Sequence, residues 1–195
     1  RGLGGAVNLR SRDHRQDHLG LHVEGGSFGS LRETLTADWA NSQHNLNLTV
    51  GRDDIFDGTH WADSRAGHTE RDTFHAQQWV AHLRDRFSEH LQLDSSLYYL
   101  RGRSGVDKVG LINPKPEFSI VDDPGQAIGD LWLAQTHLDM DLHRHWHSDV
   151  QFGHTRQTLD INAGGVLPNA PPSSISFDSE LSLVRWRNRH RFWLD

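Results

Sequence analysis

Histidine is the residue type with the most chemical potential in this chain, which has 15 histidines and no cysteine. The densest group is the stretch HRHWH, where His143, His145 and His147 occupy alternate positions. Imidazoles two residues apart on a strand lie on one face and can share a metal ion. The stretch also matches a polar turn between strands, because no carboxylate or fourth ligand stands at a fixed spacing from it. Both interpretations stay open, and the pattern favours the turn.

Nucleophilic catalysis has residue types available but no geometry to support it. Serine, histidine and aspartate occur in FGHTR and DSS, yet neither stretch has a nucleophile elbow or an oxyanion loop. We therefore expect no catalytic residues and no enzyme activity. Arg101, Arg103 and Lys108 lie near the start of a long polar stretch, where they could bind an anionic chelate or lipopolysaccharide phosphates.

The composition argues against several classes of protein and partner. Of the 195 residues, 35% are hydrophobic and 24% are charged, which is lean for a buried core. The net charge of -6 and the lack of clustered arginines argue against a nucleic-acid partner. No run of about 18 apolar residues is present, so no transmembrane helix is expected, whereas membrane strands alternate and remain compatible with the sequence.

Alternation of apolar and polar residues with a period of two predicts an all-β chain. It is clearest in 45–51, where Leu46, Leu48 and Val50 share one face. Eight strands are predicted in total: 18–24, 31–40, 45–51, 73–87, 91–101, 131–142, 146–156 and 175–187.

The connections between these strands fall into two groups. Short polar connections are predicted at 41–44, 88–90, 143–145 and about 188–191. Long connections rich in glycine, aspartate and proline are predicted at 52–72, 102–130 and 157–174. Strict alternation of short turns and long loops is typical of a meander that crosses an outer membrane. The aromatic residues Trp39, Phe87 and Trp146 flank short turns, where an interfacial girdle belongs.

The faces of the predicted strands favour a membrane barrel over a soluble sandwich. One face is polar in several strands, and packing two such faces together would bury unpaired amides and charges at a few kcal/mol each. Lipid on the apolar face and a wet or plugged lumen on the polar face satisfy both. We predict an antiparallel up-and-down transmembrane β-barrel segment of about eight strands from a larger barrel. The alternative is a soluble sheet with one solvated face.

Several motifs resemble the TonB-dependent outer-membrane receptor family. GLGGAVNLRSR, residues 2–12, is similar to the last strand of the plug domain of these receptors and its basic tail. VEGGSFGSLRETLTADWA looks like their first barrel hairpin, with its aromatic-containing Gly-Ser loop. The resemblance continues through GRDDIFDG and DMDLHRHWHSDVQFGHTR and covers the chain. In order and lengths it is most similar to the vitamin B12 receptor branch.

The resemblance implies a barrel of about 22 strands whose lumen is blocked by a plug. On that basis residues 1–13 are the C-terminal end of the plug and its linker, and residues 14–195 are the N-terminal part of the barrel. We therefore expect a fragment of a receptor. Eight strands alone would leave two unpaired edges and would neither close nor transport.

The function implied is uptake of a scarce nutrient, such as an iron-siderophore chelate or cobalamin, across the bacterial outer membrane. Energy would come from TonB, and the ligand would bind extracellular loops 52–72, 102–130 and 157–174. Outer-membrane lipid and lipopolysaccharide are the other expected partners, and no cofactor is required. A soluble or surface-attached all-β ligand-binding module without transport is the alternative.

The vitamin B12 receptor branch also implies a calcium site. There, carboxylates of extracellular loops bind calcium, and Asp57 in FDG, Asp72 in ERDTF and Asp107 in GVDK fall at comparable places. Oxygen ligands on flexible loops suit calcium. Solvated loop carboxylates are the alternative interpretation.

Overall fold

Strands make up almost all of the regular structure in the part of the chain described. The computed structural model describes residues 17–56, 73–105, 108–112, 117–121, 125–163 and 172–190. A single short turn of 3-10 helix, Ser27–Gly29, joins the first two strands. In chain order the strands are β1 (His18–Gly25), β2 (Ser30–Ala40), β3 (His44–Ile55), β4 (Phe74–Ser88), β5 (Leu91–Gly105), β6 (Lys108–Ile112), β7 (Glu117–Val121), β8 (Gln126–His143), β9 (Trp146–Ala163) and β10 (Ser173–His190).

Eight of these strands form one antiparallel sheet in the order β1-β2-β3-β4-β5-β8-β9-β10. Each strand pairs with the next one along the chain, except that β5 pairs with β8 across an excursion that carries the β6–β7 hairpin. The described strands leave the sheet open, with β1 and β10 as its edges. The prediction of an all-β, antiparallel up-and-down arrangement of eight strands is confirmed. The β6–β7 hairpin was not predicted.

Five strands extend by two or more residues beyond the prediction at the end away from the short turns. The additional strand residues are 52–55, 102–105, 126–130, 157–163 and 173–174. Their glycine and aspartate content suggested loop, but in the sheet their aspartates pair across strands. Arg32 Nη2 lies 2.6 Å from Asp53 Oδ2, and Arg101 Nε lies 3.8 Å from Asp130 Oδ1. Cross-strand pairs of opposite charge stabilise a sheet, so these segments remain paired.

The short connections follow the prediction with one exception. Between β2 and β3, Asn41 Oδ1 accepts hydrogen bonds from the amides of Gln43 and His44 at 2.8 and 2.7 Å, which closes the turn. The connection predicted at about 188–191 is wrong for residues 188–190, because β10 continues through His190 opposite Trp146 of β9.

The register of the large sheet separates its side chains onto two faces. The apolar face carries the row Leu35, Val50, Trp79, Tyr99 and Trp132, which are direct partners across five strands. The residues that alternate with these lie on the polar face. One row there contains Thr36 and Thr49, and the row two residues along contains Asp38, Asn47, His82 and Ser96. The assignment of leucines to one face and asparagines to the other in β3 follows the sequence prediction.

Hydrophobic burial is almost absent from this sheet. Among the described residues, Ala76 is the one buried hydrophobic side chain. Leu19 is 74% exposed, Trp79 55% and Trp132 43%. The apolar face therefore has no protein layer packed against it in the described part of the chain.

The edge strand β10 breaks the two-face pattern. Phe177, Leu181 and Leu183 are direct partners of Leu159, Thr155 and Gly153, which places them on the polar face. The residues between them are acidic or hydroxylic and lie on the apolar face. The alternation of β10 is thus out of phase with the other strands until Val184 and Trp186.

Beyond the apolar rows, a buried ion cluster connects β3 and β4. Asp54 is 2% exposed, and its two oxygens face Arg52 Nε at 2.5 Å and His75 Nδ1 at 2.8 Å. A charge buried to this degree is stable only with such partners, because desolvation costs several kcal/mol. The cluster therefore holds the extended ends of the two strands together.

We expect Asp54→Asn to loosen these strand ends. A neutral amide in place of the carboxylate removes the charge from its contacts with Arg52 and His75. We expect this loss to destabilise the strand ends by about 2 kcal/mol. Amide hydrogen exchange should then become at least about tenfold faster at residues 52–55 and 74–77. The matched control is Asp53→Asn, since the Arg32–Asp53 pair is more exposed and should change exchange less than threefold. Equal effects of the two variants would contradict the role of Asp54 in holding the ends of β3 and β4 together.

Candidate functional site

The three residues for which the resemblance implies calcium are Asp57, Asp72 and Asp107, and all lie outside the described residues. Much of the loops 52–72, 102–130 and 157–174, and the plug-like residues 1–13, also lie outside them. The calcium site, the domain division and the ligand-binding role of the loops therefore remain predictions.

Arg101, one of the basic residues singled out in the sequence, lies beside aromatic residues at the end of the apolar face nearest the long connections. Arg101 Nε is 3.8 Å from Asp130 Oδ1, and the Tyr99 hydroxyl donates to the same oxygen at 2.8 Å. The rings of Tyr99 and Trp132 are 4.2 Å apart. Arg103 follows in the same strand and Lys108 begins β6. This margin combines aromatic rings with cationic groups.

The histidines of HRHWH do not share one strand. His143 ends β8, residues 144–145 form the turn, and β9 begins at Trp146. The His143 and His145 rings are 5.5 Å apart beside the turn. His147 instead lies on the polar face, with its ring nitrogens 2.9 Å from Asp141 Oδ1 and 3.5 Å from Asp139 Oδ2.

Five residues on the polar face of β8 and β9 form what we call the histidine–aspartate cluster: His137, Asp139, Asp141, His147 and Asp149. Positions 137, 139 and 141 share a face because side chains alternate along a strand. The antiparallel register then places Asp149 opposite Asp139 and His147 opposite Asp141. Local alternation and the short β8–β9 turn together assemble the cluster.

The central part of this cluster has the dimensions of a metal site. One potential ligand atom from each of His137, Asp139 and Asp149 lies within 4.8 Å of the other two. His137 Nε2 hydrogen-bonds Asp149 Oδ2. Asp149 is the most buried of the five, with a side chain 13% exposed. Its other oxygen has no hydrogen-bond partner and is 3.5 Å from Arg187 Nε.

A second polar group lines a cleft of about 740 Å³ on the same face. Asp94 bridges His82 Nε2 and Arg84 Nε, each at 3.0 Å. The His82 side chain is 9% exposed, and its Nδ1 has no hydrogen-bond partner. Asn47 donates a hydrogen bond to Asp38 nearby. The cleft wall therefore offers several fixed polar groups to whatever occupies it.

Comparisons with protein-family models, curated proteins and solved structures found no match to this chain. In addition, the described residues contain no helix with the length and apolar character needed to cross a membrane.

Sequence reasoning selected a different histidine group from the one that the structure assembles. HRHWH stands out in the sequence because its histidines are close together along the chain. His137 and Asp139 lie instead on β8 and Asp149 on β9, so strand pairing brings them together. The available signal was the alternation of His137, Asp139 and Asp141 on β8 followed by His147 and Asp149 after a short turn. Combining that alternation with hairpin register would have predicted the cluster.

We expect Asp94→Ala to destabilise the sheet by about 2 kcal/mol, because it removes the acceptor shared by a buried histidine and an arginine. Urea unfolding of the purified protein, followed by tryptophan fluorescence, measures the change. Asp178→Ala is the matched control, since its pair with Arg156 is exposed on both sides and should contribute little. Equal shifts of the unfolding midpoint would refute the structural role of Asp94.

Proposed function

We propose that this chain is part of the barrel wall of a TonB-dependent outer-membrane receptor. In the intact receptor, extracellular loops bind a scarce nutrient, such as an iron-siderophore chelate or cobalamin, and a plug rearranges under the action of TonB to admit it. The observation that carries the proposal is the apolar face, which extends from β1 to β9 without a protein layer over it in the described residues. Lipid is the covering that such a face requires in a meander of this kind.

The height of the apolar face supports this environment. On β8 it extends from Trp132 to Leu142, ten residue steps that measure about 33 Å along the strand. A tilt of about 40° reduces this to about 25 Å, the height of the lipid-facing band of outer-membrane barrels. Within the band, the hydroxyls of Ser95 and Thr136 hydrogen-bond each other at 3.2 Å. Pairing of this kind lowers the cost of polar groups in hydrocarbon.

Aromatic residues mark the two margins of the band. Trp79, Tyr99 and Trp132 are neighbours across three strands at the end nearest the long connections. Trp39 and Trp146 lie next to the short turns at the opposite end. Amphipathic rings at both margins are typical of the headgroup girdles of membrane barrels. Arg52 and Arg101 lie one row beyond the first margin, and Arg156 lies in the row of Trp132 itself, where cations could meet lipid phosphates.

The polar face fits the lumen of such a receptor. Thr36 and Thr49 share a hydrogen bond, and Asp94 pairs with His82 and Arg84. These groups would be solvated or in contact with a plug. Three short turns lie at one end of the sheet, and the long connections lie at the other, where the short β1–β2 connection is the exception in the described residues. This distribution favours the same orientation.

The environment of the two faces can be measured with single-cysteine variants, because the chain has no cysteine of its own. We expect environment-sensitive labels at Leu48→Cys and Leu97→Cys to be quenched by lipids brominated in their acyl chains. Labels at the adjacent Asn47→Cys and Ser96→Cys, on the opposite face, should be quenched little. The protein is isolated in membranes of a Gram-negative host and then reconstituted into bilayers. No quenching at any of the four positions would favour the soluble binding module.

Transport itself is tested by uptake in whole cells. We expect cells that produce the natural gene product containing this chain to accumulate radiolabelled cyanocobalamin or a ferric siderophore from a defined panel. Accumulation should require TonB and should be lost in an otherwise identical strain without it. TonB-independent accumulation, or none of any probe in cells whose outer membrane contains the protein, would contradict the proposal.

A further inference from the structure

We propose that the histidine–aspartate cluster binds a divalent transition-metal ion, for which Zn²⁺ is the best match. The ligands are His137 Nε2 and one carboxylate oxygen each from Asp139 and Asp149, with His147 Nε2 as the fourth donor. This site does not depend on the receptor function, because the same residues and register are present whatever covers the apolar face.

The first argument is the juxtaposition of two carboxylates. Asp139 and Asp149 are direct cross-strand partners on the polar face. Like charges directly opposite one another destabilise an antiparallel pair. A divalent cation between them turns this repulsion into attraction. His137 already joins Asp149 from the same side, which adds a nitrogen donor to the two oxygens.

The second argument is the orientation of His147. Its Nδ1 is 2.9 Å from Asp141 Oδ1, where it can donate a hydrogen bond. That bond leaves Nε2 as an electron-pair donor, 3.5 Å from Asp139 Oδ2. In the neutral ring, Nε2 and this carboxylate oxygen are both electron-pair donors, so a cation between them, either a proton or a metal ion, joins them. A histidine held by a carboxylate on its other nitrogen is the usual arrangement beside a metal.

The third argument is distance. Bonds of about 2.0–2.1 Å in a tetrahedral zinc site place neighbouring ligand atoms about 3.3 Å apart. The separation of 3.5 Å between Asp139 Oδ2 and His147 Nε2 is close to this value. The donors of His137, Asp139 and Asp149 already lie within 4.8 Å of one another. Side-chain rotations on a backbone fixed by strand pairing are therefore enough to enclose an ion.

The donor types decide which metal fits. Two imidazoles with two carboxylates suit borderline ions such as Zn²⁺, whereas Ca²⁺ and Mg²⁺ prefer oxygen alone. Arg187 Nε lies 3.5 Å from Asp149 Oδ1. Arg185 and Arg189 lie two residues to either side of Arg187 on β10, on the same face. These cations offset the carboxylate charge, so binding depends on the nitrogen donors more than on net charge.

Calorimetric titration of the purified, detergent-solubilised protein with ZnCl₂ tests the site. We expect the wild type to bind one Zn²⁺ at this site, with excess Ca²⁺ or Mg²⁺ failing to compete. His137→Gln and Asp149→Asn should each weaken binding at least about tenfold, and Asp141→Asn, which acts through His147, should weaken it by a similar factor. The matched control is the double variant His143→Gln, His145→Gln, which should bind as the wild type does.

Other outcomes would overturn the assignment. Zn²⁺ binding unchanged in His137→Gln and Asp149→Asn would exclude the cluster, and loss of binding in the turn control alone would place the ion at HRHWH. Circular dichroism checks that each variant retains its strands, and Asp139→Asn replaces any variant that does not. With Co²⁺ as the probe, the wild type should show the intense visible absorption of a tetrahedral site, and His137→Gln should lose it. Neither result depends on the labelling or uptake experiments.

Discussion

The continuous ladder of backbone hydrogen bonds across eight strands fixes the face on which every side chain lies. Because side chains alternate along a strand, a shift of one residue in any pairing would exchange the two faces of that strand. The uncovered apolar rows, the polar cleft and the histidine–aspartate cluster all depend on the same register. No hydrophobic core supports that register in the described residues, where Ala76 is the one buried hydrophobic side chain. In the described residues, the register is therefore supported by strand pairing and not by a protein layer over the apolar face.

Sequence alternation was sufficient for the number and order of the main strands, because each hairpin is local. It underestimated strand length where charged residues replace apolar ones, as at Asp53 and Asp130. Their partners, Arg32 and Arg101, lie on neighbouring strands, and the identity of such a partner depends on register. The β6–β7 hairpin was missed for a related reason, since its two short strands gave no clear alternation within a loop-like composition.

The candidate site was predicted less well than the fold. Density of histidine drew attention to HRHWH, which forms the end of β8, the turn and the start of β9. The residues brought together are separated by that turn, and their proximity follows from the pairing of Asp139 with Asp149. Histidine–aspartate contacts recur elsewhere, between His82 and Asp94 and between His75 and Asp54. What distinguishes the cluster is two carboxylates placed opposite each other.

Strand β10 has a further consequence for how the strands of the sheet can pair. Phe177, Leu181 and Leu183 lie on the face where the neighbouring strands carry polar side chains. A local preference that conflicts with the overall fold is called frustration, and it lowers the free-energy cost of alternative strand pairings. The 18 paired positions of β9 and β10 hold the strand in place despite this conflict. Slippage by one residue, which would carry Phe177, Leu181 and Leu183 to the apolar face, is the alternative pairing that the conflict favours.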